Sequence, residues 1–323
     1  MKHLSAFLAT AVLAVCCTGR TENPASEVPQ YFSLTDTSAI ITGPLRSDTV
    51  TTIAGRIVCM STTHVGYLRE IGAQGTIVGV AGLRYVSDST VRCSAADVPE
   101  LDLEKIVSLH PDMLLVSGEG ATDYDRLEDF GIRVLHIYDY MEEHPLARAS
   151  YMRLMGTLTG RRSEADSIYN IVRSAYDSLR ISAPHPKNVL INAPYRDAWY
   201  VPGKQSYMAR LIGDAGGVVL GAQSGSNSAV ITLEKAVSLY IEADVWINPG
   251  QFKSTGELME TAPILSTLQP IRVFNNNLHI TEAGGNDFYE SGAARPDLVL
   301  EDLRSIFDGN ADQTGLHYYV ELH

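Results

Sequence analysis

Cysteine is scarce in this chain. There are 4 in 323 residues, and two of them, Cys16 and Cys17, sit together near the start. The other two, Cys59 and Cys93, belong to no Cys-x-x-Cys or Cys/His pattern, which leaves a structural zinc site without ligands. Nor is there any basic block. Lys+Arg total 25 against 38 Asp+Glu, a net charge of −13, which excludes a nucleic-acid binder whose affinity comes from neutralising phosphates. No apolar run reaches the ~20 residues needed to span a bilayer. Catalytic signatures are incomplete: Gly118-Glu-Gly-Ala lacks the third glycine of a dinucleotide loop, and Pro202-Gly-Lys204 lacks the Walker spacing. Gly221-Ala-Gln-Ser-Gly225 is not a nucleophile elbow, and nothing in the order of Ser, His and Asp selects a triad. The chain therefore offers no positive motif for an enzyme.

What is present begins with an address. Lys2 precedes the short apolar run Leu4 to Val15, which ends at Cys16-Cys17 and turns polar at once. A cysteine closing such a run resembles a bacterial lipobox, with Cys16 or Cys17 as the lipidated residue. The plainer reading is a cleaved signal with two incidental cysteines. Residues 1–17 are thus expected to leave as a signal peptide. Residues 18–52, rich in Thr, Ser and Pro, read as a linker with at most one edge strand. Cys59 and Cys93 permit one disulfide in an exported protein, although Cys59 lies within the apolar run Ile57-Val-Cys-Met60 and equally fits a buried free thiol.

From residue 53 onward short apolar strands alternate with helices. Ile57 to Met60, Ile77 to Val80, Met113 to Val116 and Val134 to Ile137 read as strands of a covered parallel sheet. Residues 145–183 carry helical periodicity instead, with Tyr151, Leu154, Met155 and Leu158 on one stripe and Ala165, Ile168, Val172 and Leu179 on another. A second strand–helix series follows from 184. The predicted architecture is α/β: two Rossmann-like lobes, 53–144 and 184–323, with parallel-type sheets bridged by a single long helix, or one broken at Thr159-Gly160.

The two halves echo each other. Leu103-Glu-Lys-Ile-Val-Ser-Leu109 returns as Leu233-Glu-Lys-Ala-Val-Ser-Leu239, each copy after a capping residue, Asp102 or Thr232. Glu104 and Glu234 then stand in the first turn of equivalent helices. A carboxylate there is stabilised by the helix dipole by about 0.3–1 kcal/mol, which accounts for the echo without any partner. The alternative is a matched pair of surface carboxylates for a partner with two cationic sockets.

Taken in order, Arg56-Ile-Val-Cys-Met-Ser-Thr-Thr-His64, Gly72-Ala, Ile77-Val-Gly-Val80 and Leu103 to Val116 look like the N-lobe of the binding proteins of ABC importers that capture iron-siderophore complexes, haem and vitamin B12. Gly156-x-Leu-Thr-Gly160 with Glu164-Ala165 resembles the bridging helix of that family, and Pro202-Gly-Lys204 with Ala215-Gly-Gly217 the start of its C-lobe. The resemblance implies a lipid-anchored, periplasmic, monomeric protein that docks onto permease transmembrane subunits through Glu104 and Glu234. Its cargo would be an iron chelate, haem or a corrinoid, with no cofactor or resident metal. It also implies lobes that move little.

Loops at the carboxyl ends of the strands should line the cleft. They supply His64, Arg84, Tyr85, Tyr138 and Tyr140 from the first lobe, and Tyr195, Arg196, Trp199, Tyr200 and Phe252 from the second. Asp287, Phe288 and Tyr289 stand where related B12 binders place an acidic–aromatic cluster. Sixteen Tyr against seven Phe favours flat faces with polar tips, suited to a macrocycle or aromatic chelate. Arg84 and Arg196 suit carboxylates of haem or of an anionic siderophore. Bare-metal capture by His64, His136 and His279 is disfavoured, since His136 lies inside a strand. The reading from another class is a cell-envelope hydrolase on the same scaffold.

Overall fold

A computed structural model describes residues 26–119, 122–195 and 198–323. The expected signal segment, Cys16 and Cys17 lie outside them, as does Arg196. Structure begins earlier than expected. Residues assigned to the linker form a three-stranded antiparallel meander of β1 (Phe32–Leu34), β2 (Ala39–Thr42) and β3 (Ser47–Val50). Phe32, Ala39, Ile41 and Val50 are buried in the core of the first lobe, and Phe32 meets the Tyr151 ring edge-on at 4.7 Å. The Thr/Ser-rich composition hid a period-two alternation, in which small polar residues face out and a few apolar ones face in.

The first lobe is a five-stranded sheet of β4 (Ile57–Cys59), β5 (Ile77–Val80), β6 (Ala96–Asp97), β7 (Met113–Ser117) and β8 (Arg133–Ile137). All are parallel in the order β6-β5-β4-β7-β8. Being covered on both faces, β4 and β7 are buried at nearly every position. The segment Thr122–Phe130 is a run of tight 3-10 turns. Cys59 is buried and Cys93 exposed, and both are free thiols, so no disulfide links them.

The second lobe repeats the plan with a different strand order. β9 (Lys187–Ile191) is followed by the hairpin of β10 (Pro194–Tyr195) and β11 (Ala198–Val201). After these come β12 (Gly217–Val219), β13 (Ala229–Ile231), β14 (Val245–Ile247), β15 (Arg272–Asn275) and β16 (Val320–Leu322). The main sheet runs β12-β9-β14-β15-β16, parallel except for its last strand. β10, β11 and β13 form a small antiparallel sheet of their own.

The bridge is three helices instead of one: Pro145–Ala149, Tyr151–Leu158 and Arg162–Leu179. Gly160 takes φ +70, which ends the second helix and reverses the chain. The third helix, 18 residues and so about 27 Å long, is the element that crosses between lobes. Its Ala165, Tyr169 and Val172 enter the first core, while Tyr176 enters the second and donates to Asp214 at 2.7 Å. No helix among the described residues is long and apolar enough to cross a membrane.

The lobes meet along a close seam. The helix Thr62–Glu70 presents Gly66 to the backbone of Glu290, so near that a Cβ there would strike the Glu290 carbonyl, and Gly285 lies equally close to Tyr85. Arg69 on that helix bonds Glu290 at 3.0 Å and Asp287 at 3.3 Å, and Glu290, 1% exposed, also accepts the Ser87 amide at 2.6 Å. Buried carboxylates hold the terminal segments as well. Glu142 accepts the Gln30 and Tyr31 amides, and Asp302 accepts those of His317, Tyr318 and Tyr319.

Candidate functional site: the cleft between the lobes

β9, β14 and β15 lie side by side, and each runs straight into asparagine: Asn192, Asn248 and the pair Asn275-Asn276. Asn192 and Asn248 adopt left-handed backbone, φ 63 and 52, a conformation that asparagine tolerates better than other side-chain-bearing residues. Their amides donate to Ile247 and Phe274 carbonyls and so extend the parallel ladder by one residue before the chain turns away. Asn192, Asn248 and Asn276 thereby line one wall of a cavity of about 270 Å³.

The opposite wall comes from Thr63 and Arg148. Arg148 sits on the short helix Pro145–Ala149, and its Nε donates at 3.1 Å to Asp139, a carboxylate only 2% exposed that also receives the Tyr67 hydroxyl at 3.2 Å. The Arg148 guanidinium lies 5.1 Å over the Tyr207 ring. Thr63 donates to the Tyr289 carbonyl at 3.0 Å, joining the lobes across the cavity edge. On the other flank of the seam a more open groove of about 770 Å³ runs between Arg84, Ser87 and Arg92 and residues 278–283, which include His279.

Of the side chains expected at a ligand, Tyr140, Tyr195, Tyr200 and Tyr289 are exposed, and Tyr289 lines the cavity with Phe288. The Asn192 side chain donates to the Tyr200 carbonyl at 2.7 Å, so Tyr200 stands beside the cavity wall. Arg84 and Tyr85 are exposed and bonded to each other at 2.5 Å, and Arg84 lines the groove.

Others lie elsewhere. His64 is fully buried beneath the helix start that Ser61 caps, and burial pushes its imidazole below the ordinary range, toward the neutral form. Tyr138 is 1% exposed, packed against Gly43 of the N-terminal meander, with its hydroxyl on Glu119 at 2.9 Å. Trp199 is also buried, stacked on Trp246 at 5.5 Å and donating to the Ile191 carbonyl. Phe252 packs half-buried on the second core. Asp287 is engaged by Arg69 and Ser291 in the seam rather than offered to a ligand. His136 is buried between the Gly118 carbonyl and Asp125.

The echoed helices both start with a side-chain cap, Asp102 accepting from the Lys105 amide and Thr232 from that of Lys235. Glu104 and Glu234 are exposed, and neither carboxylate has an ion-pair partner among the described residues. Around Glu104 an apolar groove of about 690 Å³ is formed by Leu101, Leu103, Val107 and Phe130.

A family model for periplasmic binding proteins matches residues 57–268. The chain belongs to that family. That is a family of binding proteins rather than enzymes. Among relatives, an uncharacterized lipoprotein of Methanocaldococcus jannaschii is 22% identical over 291 residues, 82% of this chain and 69% of that protein. The periplasmic haem-binding protein HutB of Vibrio cholerae superposes with a TM-score of 0.60 at 19% identity, covering 76% of this chain and 98% of HutB. The molybdate-binding protein MolA of Haemophilus influenzae gives 0.60 at 15% identity, over 85% and 93%.

The most polar residues of the binding protein's cavity escaped sequence reasoning. Arg148 was hidden in a segment assigned to the bridge. Asn192 and Asn248 carried a usable signal: each follows an apolar strand directly, where a left-handed residue ends the pairing, whereas Asn276 follows Asn275 and carried none.

Proposed function

We propose that this chain is the lipid-anchored binding protein of an ABC importer, tethered through Cys16 or Cys17, and that it captures a metal chelate or corrinoid in the cleft and hands it to the permease. The observation that carries the reading is the pairing of one inter-lobe cleft, lined by exposed Tyr289 with exposed Tyr200 beside its wall, with two exposed glutamates on equivalent helix starts that have no ion-pair partner among the described residues. A tyrosine rim offers flat apolar faces to an aromatic or macrocyclic cargo and hydroxyls to its polar edge. Glu104 and Glu234 each present a carboxylate at a capped helix start, available to cations on the permease. The seam of Gly66, Thr63, Arg69 and Glu290 keeps the lobes at a fixed separation, so the glutamates keep a fixed spacing.

Capture and delivery need no covalent step, only binding, docking and release. The test separates the two roles. Reversing both charges (E104R with E234R) should leave cargo affinity unchanged and abolish uptake in cells. Unchanged uptake would remove the docking role of the glutamates.

A further inference from the structure

The cavity at the closed end of the cleft has a chemistry of its own. Its one formal charge among the described lining residues is Arg148, and no acidic side chain lines it, although the chain carries a net charge of −13. Arg148 is oriented from behind. Its Nε is held by buried Asp139, and its terminal nitrogens have no partner among the described residues. Stacking over Tyr207 keeps the guanidinium plane from swinging aside.

Asn276, which lines the same cavity, is 4% exposed, and its side-chain amide has no hydrogen-bond partner among the described residues. Buried polar groups are almost always paired, so an amide left open toward a cavity marks a place where a partner belongs. Asn248 turns its Nδ2 toward the Met208 sulfur at 3.6 Å, a weak acceptor that a stronger one would displace. Donors thus meet at one cavity: a guanidinium from the bridge and two carboxamides from the second lobe. The left-handed backbone of Asn248 is what aims its side chain inward at the strand end.

Size completes the argument. Pockets for whole drug-sized ligands run to roughly 300–1,000 Å³, and this one holds about 270 Å³. A macrocycle does not fit, whereas a carboxylate or a tetrahedral oxyanion does.

We propose that Arg148, Asn248 and Asn276 form an oxyanion clamp, and that this binding protein selects cargo by a compact anionic group inserted there. The inference rests on the cleft being the solute site. The group is either the carboxylate arm of a larger chelate, whose bulk then meets the tyrosine rim, or a free inorganic oxyanion. Neutral or cationic chelates without such an arm are rejected, because they leave Arg148 and Asn276 desolvated and unpaired.

The test is calorimetric titration of the mature chain with ferric citrate, haemin, molybdate, phosphate, a ferric trihydroxamate lacking carboxylates, and cyanocobalamin. Carboxylate-bearing chelates should bind at least about tenfold tighter than the trihydroxamate and cyanocobalamin. Replacing Arg148 alone would strand a buried charge, so the variant is R148Q combined with D139N, which removes the cation and its counter-ion together. It should weaken ferric citrate about 100-fold, and N276A about tenfold, with melting temperatures near that of the parent. Binding of molybdate or phosphate alone would uphold the clamp and overturn the chelate as cargo. Equal binding of the trihydroxamate and ferric citrate, unaffected by either variant, would overturn the clamp and leave the chelate reading intact. Binding of none of the six would overturn both.

Discussion

The two lobes share a plan and divide the work differently. Each opens an equivalent helix with a capped glutamate, yet their sheets end in opposite ways at the cleft. In the first lobe the carboxyl ends of β4 and β8 lead into buried His64 and Tyr138, the latter covered by the N-terminal meander. In the second, β9, β14 and β15 end on asparagines that stay open to the cavity. On the proposed docking, the outer face is duplicated because a partner with two sockets would use it twice. The inner face is not duplicated: the bridge supplies the cation Arg148 and the second lobe neutral amides.

The comparison can be broken most severely on the outer face. Each glutamate is followed by a lysine, Lys105 or Lys235, but Glu104 also lies in a groove with Arg126 and apolar Leu101, Leu103, Val107 and Phe130, which lower the local dielectric around any ion pair it makes. E104R alone should therefore reduce uptake by about tenfold more than E234R alone. Equal losses would show that the groove contributes nothing. The seam comes next. Gly66→Ala forces a Cβ into the Glu290 carbonyl and should cost about 1–3 kcal/mol in denaturant unfolding. Gly75→Ala, with open space around it, should stay within about 0.5 kcal/mol.

The terminal latches sharpen the comparison through pH. Burial pushes Glu142 up to about 7 and raises Asp302 as well, against the backbone amides that favour their charged forms. A carboxyl whose folded value exceeds its unfolded one binds extra protons when folded, so its contribution to stability falls as pH rises between the two values. For Glu142 that window runs from about 4.5 to about 7. E142Q, which keeps a carbonyl for the Gln30 and Tyr31 amides, should gain stability relative to the parent between pH 5 and pH 8. Unfolding curves at the two pH values check this, and a stability difference, E142Q minus parent, that falls from pH 5 to pH 8 would contradict it. The smallest effect is chemical. A thiol reagent should label Cys93 in the folded chain and reach buried Cys59 only on unfolding, since burial raises the Cys59 thiol far above its ordinary range.

Much of the scaffold was legible because buried parallel strands read as unbroken apolar runs. Met113-Leu-Leu-Val116 and Val245-Trp-Ile247 need no context to be recognised. The meander was not legible, because three or four residues per strand give alternation too short to separate from a polar linker. For the bridge the sequence left one helix or a break at Thr159-Gly160 open, because Gly160 breaks the helix without breaking its apolar stripe, which resumes at Ala165 against Gly156. At the site, Phe288 and Tyr289 of the expected set line the cavity, but the sequence did not show which side chains turn back into the core. Tyr138 and Tyr140 are two residues apart, and only packing against Gly43 decides that the first is buried and the second exposed.

The central claim is that solute enters between the lobes, against the asparagine-lined strand ends. Trp246 is placed to report it, since its indole donates at 2.6 Å to the carbonyl of Asn192 in the cavity wall. In a W199F variant that leaves Trp246 as the sole tryptophan, titration with haemin and ferric chelates, corrected for absorption, should give saturable one-to-one quenching by at least one of them. Linear, unsaturable quenching matching that of free tryptophan for every compound would contradict the account.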